Sequence, residues 1–213
     1  MATTTHKKMD RSTFLYTSHF CEENVWQMAK RFSGTNEGGM SYFAVFISSR
    51  SKHTPIWRQR SSEDADTPVV WDYHVIFVIK GDTRSIRKHG HSLLLDLDTN
   101  IAEFPLDAGT YCMAAFRLDR PLLPENEQTF RVIPSADFLG HFASDRSHML
   151  ASGMPFPSWP VIKGSLSTTA MNLHEYIAMH SPDGQRIVES RPGFGQVMSR
   201  EQFCNWCNER PWT

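Results

Sequence analysis

Three residue types along this chain have the makings of a thiol nucleophile system. Cys21 opens Cys21-Glu22-Glu23-Asn24-Val25-Trp26, which reads as the start of a helix. His74 sits inside the apolar run Trp71-Asp72-Tyr73-His74-Val75-Ile76-Phe77, and an aspartate pair follows in Leu95-Asp96-Leu97-Asp98. An attacking sulfur, an imidazole that moves protons and a carboxylate that orients the imidazole are the parts needed to attack an amide or ester carbon. A thiol at a helix N-terminus lies near unpaired N–H groups and the positive end of the dipole, which favours thiolate. The same donors could hold an oxyanion. Each residue also has an ordinary reading: Cys21 as a core thiol, His74 as a satisfied core histidine, Asp96 and Asp98 as strand-end or turn charges.

The elements that must position these groups follow from periodicity. Val25, Trp26, Met28, Ala29 and Phe32 recur at helical spacing from Cys21 to Phe32. Ser18 is a candidate cap, and Ser33-Gly34 a stop. Tyr42 to Ile47 reads as a buried strand, Val69 to Ile79 as a long strand and Ser92 to Asp98 as another. Lys80 to His91 is loop-like, so the last two strands form an antiparallel hairpin. If the loop is centred near Ser85, His74 faces Asp96 and Asp72 faces Asp98, all on one side of the sheet. A bulge would break that register.

Bulk properties bound the rest. The chain has 213 residues, 40% apolar and 12% aromatic, enough for one sizeable core. Basic and acidic residues balance at 22 against 23, leaving no excess to neutralise phosphates, so a nucleic-acid partner is not expected. Arg84, Arg87 and Lys88 form a small basic cluster that reads as a solvated loop. No run approaches membrane-spanning length, and the first residues lack the apolar segment of a secretory signal. The expectation is a cytoplasmic protein, with a nuclear location also open, whose thiols stay reduced. Residues 1–12 read as a disordered segment and 13–213 as a single domain.

Other motifs are weaker. Cys204-Asn-Trp-Cys207 has the spacing of half a zinc site, but no second such pair exists, so two core cysteines on one helix are expected. His89-Gly-His91 falls in the presumed loop, and no metal is assigned to it. Ser144-Asp-Arg-Ser-His148 is a polar cluster that reads as a capped turn or as pocket lining. Residues 107–118 and 136–142 read as helices, Phe130 to Ile133 as a short strand, and 152–165 as loop. Asn172 with Glu175, and Ser199 with Gln202, match capping boxes. No phosphate-binding or dinucleotide loop is present in the sequence.

The combination is more specific than its parts. Cys21-Glu-Glu-Asn-Val-Trp, Tyr42-Phe-Ala-Val-Phe-Ile-Ser, Pro55-Ile-Trp-Arg-Gln, Val70-Trp-Asp-Tyr-His-Val, Asp96-Leu-Asp-Thr, Phe130-Arg-Val-Ile-Pro, Phe142-Ala-Ser-Asp-Arg-Ser-His-Met and Met171-Asn-Leu together resemble the protein N-terminal glutamine amidohydrolase family. They keep its order from about residue 15 to 203. The resemblance implies an α+β fold, a single-domain α-β-α sandwich with a mainly antiparallel sheet and a core similar to papain and transglutaminase. It implies a Cys-His-Asp triad of Cys21, His74 and Asp96. It implies conversion of an N-terminal Gln of proteins or peptides to Glu with release of ammonia, no metal or organic cofactor, and a monomer that feeds the Arg branch of the N-degron pathway.

Such an enzyme needs a carboxylate or carbonyl for the substrate's α-amino group, and Glu22, Glu23 and Asp72 are the candidates. For Glu22 and Glu23, complementing the helix dipole is an equal reading. Competing assignments are a transglutaminase-like or protease-like thiol acyltransferase and a non-catalytic module that binds N-terminal Gln. The sequence departs from the family pattern at His19-Phe20, in the loop Ser152 to Pro160, at Phe194-Gly-Gln-Val-Met-Ser and in the tail Asn205 to Thr213. None of these touches the triad positions.

Overall fold

The computed structural model describes residues 9–34, 39–81, 92–187 and 191–209. Arg84, Arg87, Lys88, His89 and His91 lie outside the described residues, as do residues 1–8 of the segment expected to be disordered. Residues 9–12 of that segment are built into the fold. Asp10 caps a 3-10 turn at Arg11–Thr13, and Arg11 donates from Nη2 to the carbonyl of Ile101 at 2.8 Å.

One helix precedes the sheet: α1, Cys21–Phe32. The strands in chain order are β1 Met40–Ser48, β2 Thr54–Ile56, β3 Val69–Trp71, β4 Tyr73–Gly81, β5 Ser92–Leu95, β6 Leu106–Asp107, β7 Thr129–Pro134, β8 Ala143–Ser144, β9 Ile162–Lys163 and β10 Gln196–Ser199. The later helices are α2 Ala108–Tyr111, which runs into a π-helical turn Cys112–Phe116, then α3 Ser135–His141, α4 Leu173–Ile177 and α5 Arg200–Asn208. Six strands form the main sheet in the order β10-β7-β1-β4-β5-β6, and every neighbouring pair is antiparallel. None of the described helices is long and apolar enough to cross a membrane.

Helices cover both faces of this sheet, because its central strands are apolar on both. Odd positions of β4 (Val75, Phe77, Ile79) join Phe46, Val25, Met28 and Phe138 in one cluster, under α1 and α3. Even positions (Ile76, Val78) join Val45, Tyr111, Phe116, Phe130 and Phe203 in the other, under α2 and α5. Phe130 and Phe203 stack at 4.3 Å between ring centroids, which fixes α5 on its strand. The result is a single-domain α+β protein with a three-layer arrangement.

Local chemistry explains where the elements deviate from the expected ones. The Ser199 capping box forms in full: its hydroxyl accepts from Gln202 N, and Gln202 Oε1 accepts from Ser199 N. The Asn172 box does not form. Asn172 spends its side chain across the chain instead, accepting from Ala143 N and donating to His141 O, each at 2.8 Å. Ser18 does not cap α1. Phe20 occupies that position, and Asn24 holds the preceding turn by a reciprocal pair of 2.9 Å bonds with the Thr17 backbone. At the start of β10, Gly195 has φ 58, and a Cβ there would lie 2.0 Å from the carbonyl oxygen of Val132. Only glycine fits that approach.

The hairpin also differs. β4 pairs with β5 as Phe77 to Leu95 and Lys80 to Ser92, two residues out from the expected register. A shift of two preserves which face each residue points to. His74 and Asp96 therefore still share a face, as diagonal neighbours rather than opposite partners. The long strand is broken at Asp72, between β3 and β4, so Asp72 is not placed by the hairpin at all.

Candidate active site

His74, near the start of β4, is completely buried. Its Nε2 lies 3.0 Å from Oδ1 of Asp96, just beyond the end of β5. Four donors converge on the Asp96 carboxylate. Oδ1 takes His74 and the Asp98 backbone N–H at 2.9 Å, while Oδ2 takes the Tyr111 hydroxyl at 2.6 Å and Gln59 Nε2 at 3.0 Å. Burial alone would push this carboxyl up. The imidazole of His74 and the hydrogen bonds from His74, Tyr111 and Gln59 overcome it and hold the group down at about 2. For His74, burial favours the neutral ring, but the charge and hydrogen bond of Asp96 prevail and raise its pKa. The other ring nitrogen, Nδ1, is buried with no hydrogen-bond partner among the described residues. The indole of Trp71 stacks on the ring, with centroids 5.1 Å apart.

Cys21 is the first residue of α1 and is buried against the sheet. Its sulfur takes a backbone hydrogen bond from Val75, the residue after His74. The thiol donates to Oε2 of Glu22 at 3.7 Å. The sequence expectation of a ready thiolate is not met in this state. Burial pushes the thiol well up, the carboxylates of Glu22, Asp98 and Asp72 push the same way, and only the Val75 bond opposes them. The helix terminus is present, but the first turn carries its own carboxylate against the sulfur.

The three sequence candidates for binding an amino group fare differently. Glu23 is fully engaged: Arg146 donates from Nε to Oε1 at 2.9 Å and from Nη2 to Oε2 at 2.8 Å, Trp159 Nε1 donates to Oε2 at 2.7 Å, and Ser144 reaches Oε1 at 3.3 Å. No oxygen is left for a substrate, so Glu23 is an internal brace rather than an anchor. Asp72 is exposed and accepts from its neighbour Tyr73 N at 2.9 Å. Glu22 is completely buried. Its Oε2 accepts from the Tyr73 hydroxyl at 3.0 Å, and its Oε1 has no hydrogen-bond partner among the described residues, with His148 Nε2 at 3.6 Å.

A cavity of about 490 Å³ opens at this point. Cys21, Asp72, Tyr73, Trp71, Asp98 and His148 are among its walls. The Ser144–His148 cluster forms a capped turn, with Asp145 Oδ1 accepting from Ser147 N at 2.9 Å, and it also lines the cavity through Ser147 and His148, while Arg146 braces Glu23. Asp98 accepts from the Tyr16 hydroxyl at 2.6 Å, and burial followed by the neighbouring Asp96 raises its pKa. His74, Asp96 and Asp98 lie close enough for one ligand atom of each to meet a common cation. The oxygens of Asp96 are already occupied by four donors, a set suited to orienting an imidazole rather than binding metal. Cys112, Cys204 and Cys207 are free thiols buried in the other layer, as expected of core cysteines.

Trp71, Tyr73, Gln59, Tyr111 and Tyr16 escaped the sequence reading as site residues. Gln59 sits in a stretch that reads as a polar loop but is completely buried, and Tyr111 lies in an aromatic segment with no motif of its own. Gln59, Trp71 and Tyr73 fall within the blocks that carry the family resemblance, but the burial that gives Gln59 and Tyr111 their role is visible only once the fold is known.

Together the fold and cavity define an α+β protein with a thiol at the cavity wall and, behind Trp71, a buried imidazole–carboxylate pair. A family described as N-terminal glutamine amidase matches residues 16–207. A relative from Danio rerio named protein N-terminal glutamine amidohydrolase is 40% identical over 194 residues, covering 89% of this chain and 87% of the relative. Relatives of the same name from Bos taurus and Homo sapiens are 35% and 33% identical over 198 residues; each match covers 91% of this chain, with 91% and 87% of the relative. The chain belongs to the N-terminal glutamine amidase family, a family of hydrolytic enzymes.

Proposed function

We propose that this protein deamidates the side chain of an N-terminal Gln to Glu, releasing ammonia, with Cys21 as nucleophile, His74 as proton carrier and Asp96 as the group that orients His74. The observation that supports the roles is the His74–Asp96 pair. One ring nitrogen is fixed at 3.0 Å by a carboxylate held at about 2, and the other has no hydrogen-bond partner among the described residues, one residue along the strand from the backbone bond to the Cys21 sulfur. Family membership supports the substrate. A helix-borne thiol beside a strand-borne imidazole is also the arrangement of papain-like and transglutaminase-like cores.

In the first half-reaction the Cys21 proton passes to His74 Nδ1, and the sulfur attacks the side-chain amide carbon. N–H groups of the first turn of α1, which have no intrahelical partner, receive the developing oxyanion. The C–N bond breaks as the imidazolium gives its proton to the departing amide nitrogen, which leaves as ammonia, and a glutamyl thioester remains. Water then loses a proton to His74 and attacks the thioester. The C–S bond breaks, the Cys21 thiolate takes the proton back from His74, and the product is an N-terminal Glu. That residue is a substrate for arginylation, which would place the enzyme upstream in the Arg/N-degron pathway, acting as a monomer on cytoplasmic and nuclear proteins.

Ammonia release and the Gln-to-Glu mass change test this on matched peptides beginning with Gln, Asn or acetylated Gln. Turnover of the free Gln peptide alone is expected. Transfer of the glutamyl group to an added amine in place of hydrolysis would instead mark a transglutaminase-like acyltransferase, and binding of the Gln peptide with no turnover would mark a binding module.

A further inference from the structure

Among the described residues, Glu22 is the carboxylate that hydrogen-bonds the Cys21 thiol, and its other oxygen has no hydrogen-bond partner. A charged group buried without a full set of partners is costly, and its persistence next to a nucleophile calls for a ligand. We propose that Glu22 anchors the α-ammonium group of the substrate, and that filling this anchor is what frees the Cys21 thiol to attack. The inference rests on the functional reading above and deepens it.

The dimensions agree. In a Gln residue four bonds separate the α-nitrogen from the amide carbon, a span of at most about 5 Å. An ammonium about 2.8 Å from Oε1 and a carbon about 3.3 Å from Sγ fit that span, given that Oε2 lies 3.7 Å from the same sulfur. Oε1 has no hydrogen bond among the described residues, and His148, whose Nε2 lies 3.6 Å away, itself lines the cavity. The entering ammonium takes the place of His148, a residue of the 3-10 turn Ser147–Ser152. The rivals are less suited. Asp98 already accepts from Tyr16, and Asp72 is exposed to water, where an ion pair contributes little.

Electrostatics then couples binding to chemistry. The thiol proton points at the Glu22 carboxylate, and that negative charge opposes thiolate formation. The other groups facing this pair are Tyr73, His74, His148, Asp72 and Asp98. An ammonium on Glu22 neutralises the opposing charge, so the proton moves to His74 Nδ1 only when a free N-terminus is in place. A blocked N-terminus fails twice, in binding and in activation.

The test measures iodoacetamide alkylation of Cys21 against pH, in wild type, Glu22→Gln, Asp72→Asn and Tyr73→Phe, beside turnover of a Gln peptide and its analogue with hydroxyl replacing the α-amino group. Glu22→Gln should shift the alkylation profile to lower pH, giving about tenfold faster alkylation near neutrality. It should also cut kcat/KM for the Gln peptide by about 100-fold and erase most of its advantage over the hydroxyl analogue. Tyr73→Phe, which leaves the carboxylate more negative, should shift alkylation to higher pH, and it keeps the test alive if Glu22→Gln does not fold. An unchanged alkylation profile in Glu22→Gln, or loss of the amino-group preference in Asp72→Asn with its retention in Glu22→Gln, overturns the proposal. Alkylation needs no turnover, so failure of wild type to deamidate any peptide would count against the functional reading separately.

Discussion

Trp71 lies over His74 with ring centroids 5.1 Å apart and planes 21° from parallel. The indole thereby shields the His74–Asp96 pair from the cavity that Trp71 lines. Shielding strengthens the ion pair by lowering the local dielectric, and the π face also favours an imidazolium. Trp71→Ala is expected to lower kcat by about 10- to 100-fold with a smaller effect on KM, while Trp71→Phe retains most of the rate. Steady-state kinetics on an N-terminal Gln peptide checks both, and a Trp71→Ala enzyme with wild-type kcat would remove the shielding role.

Removing the thiol proposed as nucleophile should separate chemistry from folding. Cys21→Ala is expected to lose at least about 10⁴-fold in turnover. Its thermal midpoint should stay within a few degrees of wild type or rise slightly, because a thiol pressed against a buried carboxylate contributes little to stability. Activity retained above trace level would refute the assignment of Cys21.

The pair of Asp96 and His74 sets a pH window for stability. Asp96 is depressed to about 2 from 3.8, so its contribution is present above 3.8 and is lost as pH falls toward 2. His74 is raised from 6.5, so its contribution is full below 6.5 and is lost as pH rises through the elevated folded value. Both describe one interaction, on the order of 2 kcal/mol. Urea melts across pH should show wild type losing stability at both edges, while Asp96→Asn shows neither edge and a kcat lower by about 10³-fold. Tyr111→Phe, which removes the 2.6 Å donor to Asp96 Oδ2, should move the acid edge upward.

How much of this was legible in the chain depends on the range of the interaction. The body of helix α1, the strand from Tyr73 onward and the Ser199 cap rest on neighbours in sequence and form as expected, while the strand break at Asp72 and the missing Ser18 cap do not follow from them. The pairing of His74 with Asp96 survived a two-residue error in register because strand parity decides the face. What failed was decided at long range. Asn172 is diverted to β8, Gln59 and Tyr111 reach Asp96 from separate segments, and Glu23 finds Arg146 far along the chain. The thiol's charge state was misjudged for the same reason: the helix terminus is a local feature, whereas burial against β4 and the Asp98 carboxylate are products of the whole fold.

Glu23 and Arg146 provide the last prediction, which sets bracing apart from binding. Both are buried, and Arg146 also donates to the carbonyls of Pro157, Trp159 and Pro160, so one side chain holds the loop beside the cavity to the first turn of α1. Glu23→Ala leaves Arg146 buried without its counter-charge and should cost about 3–5 kcal/mol. Glu23→Gln keeps the shape and some hydrogen bonds and should cost less. If Glu23 were instead a substrate anchor, the Gln variant would show near-normal unfolding with a large loss of preference for a free N-terminus. The brace requires the reverse: a clear fall in the urea midpoint, with the preference for free over acetylated N-terminal Gln intact in the folded fraction.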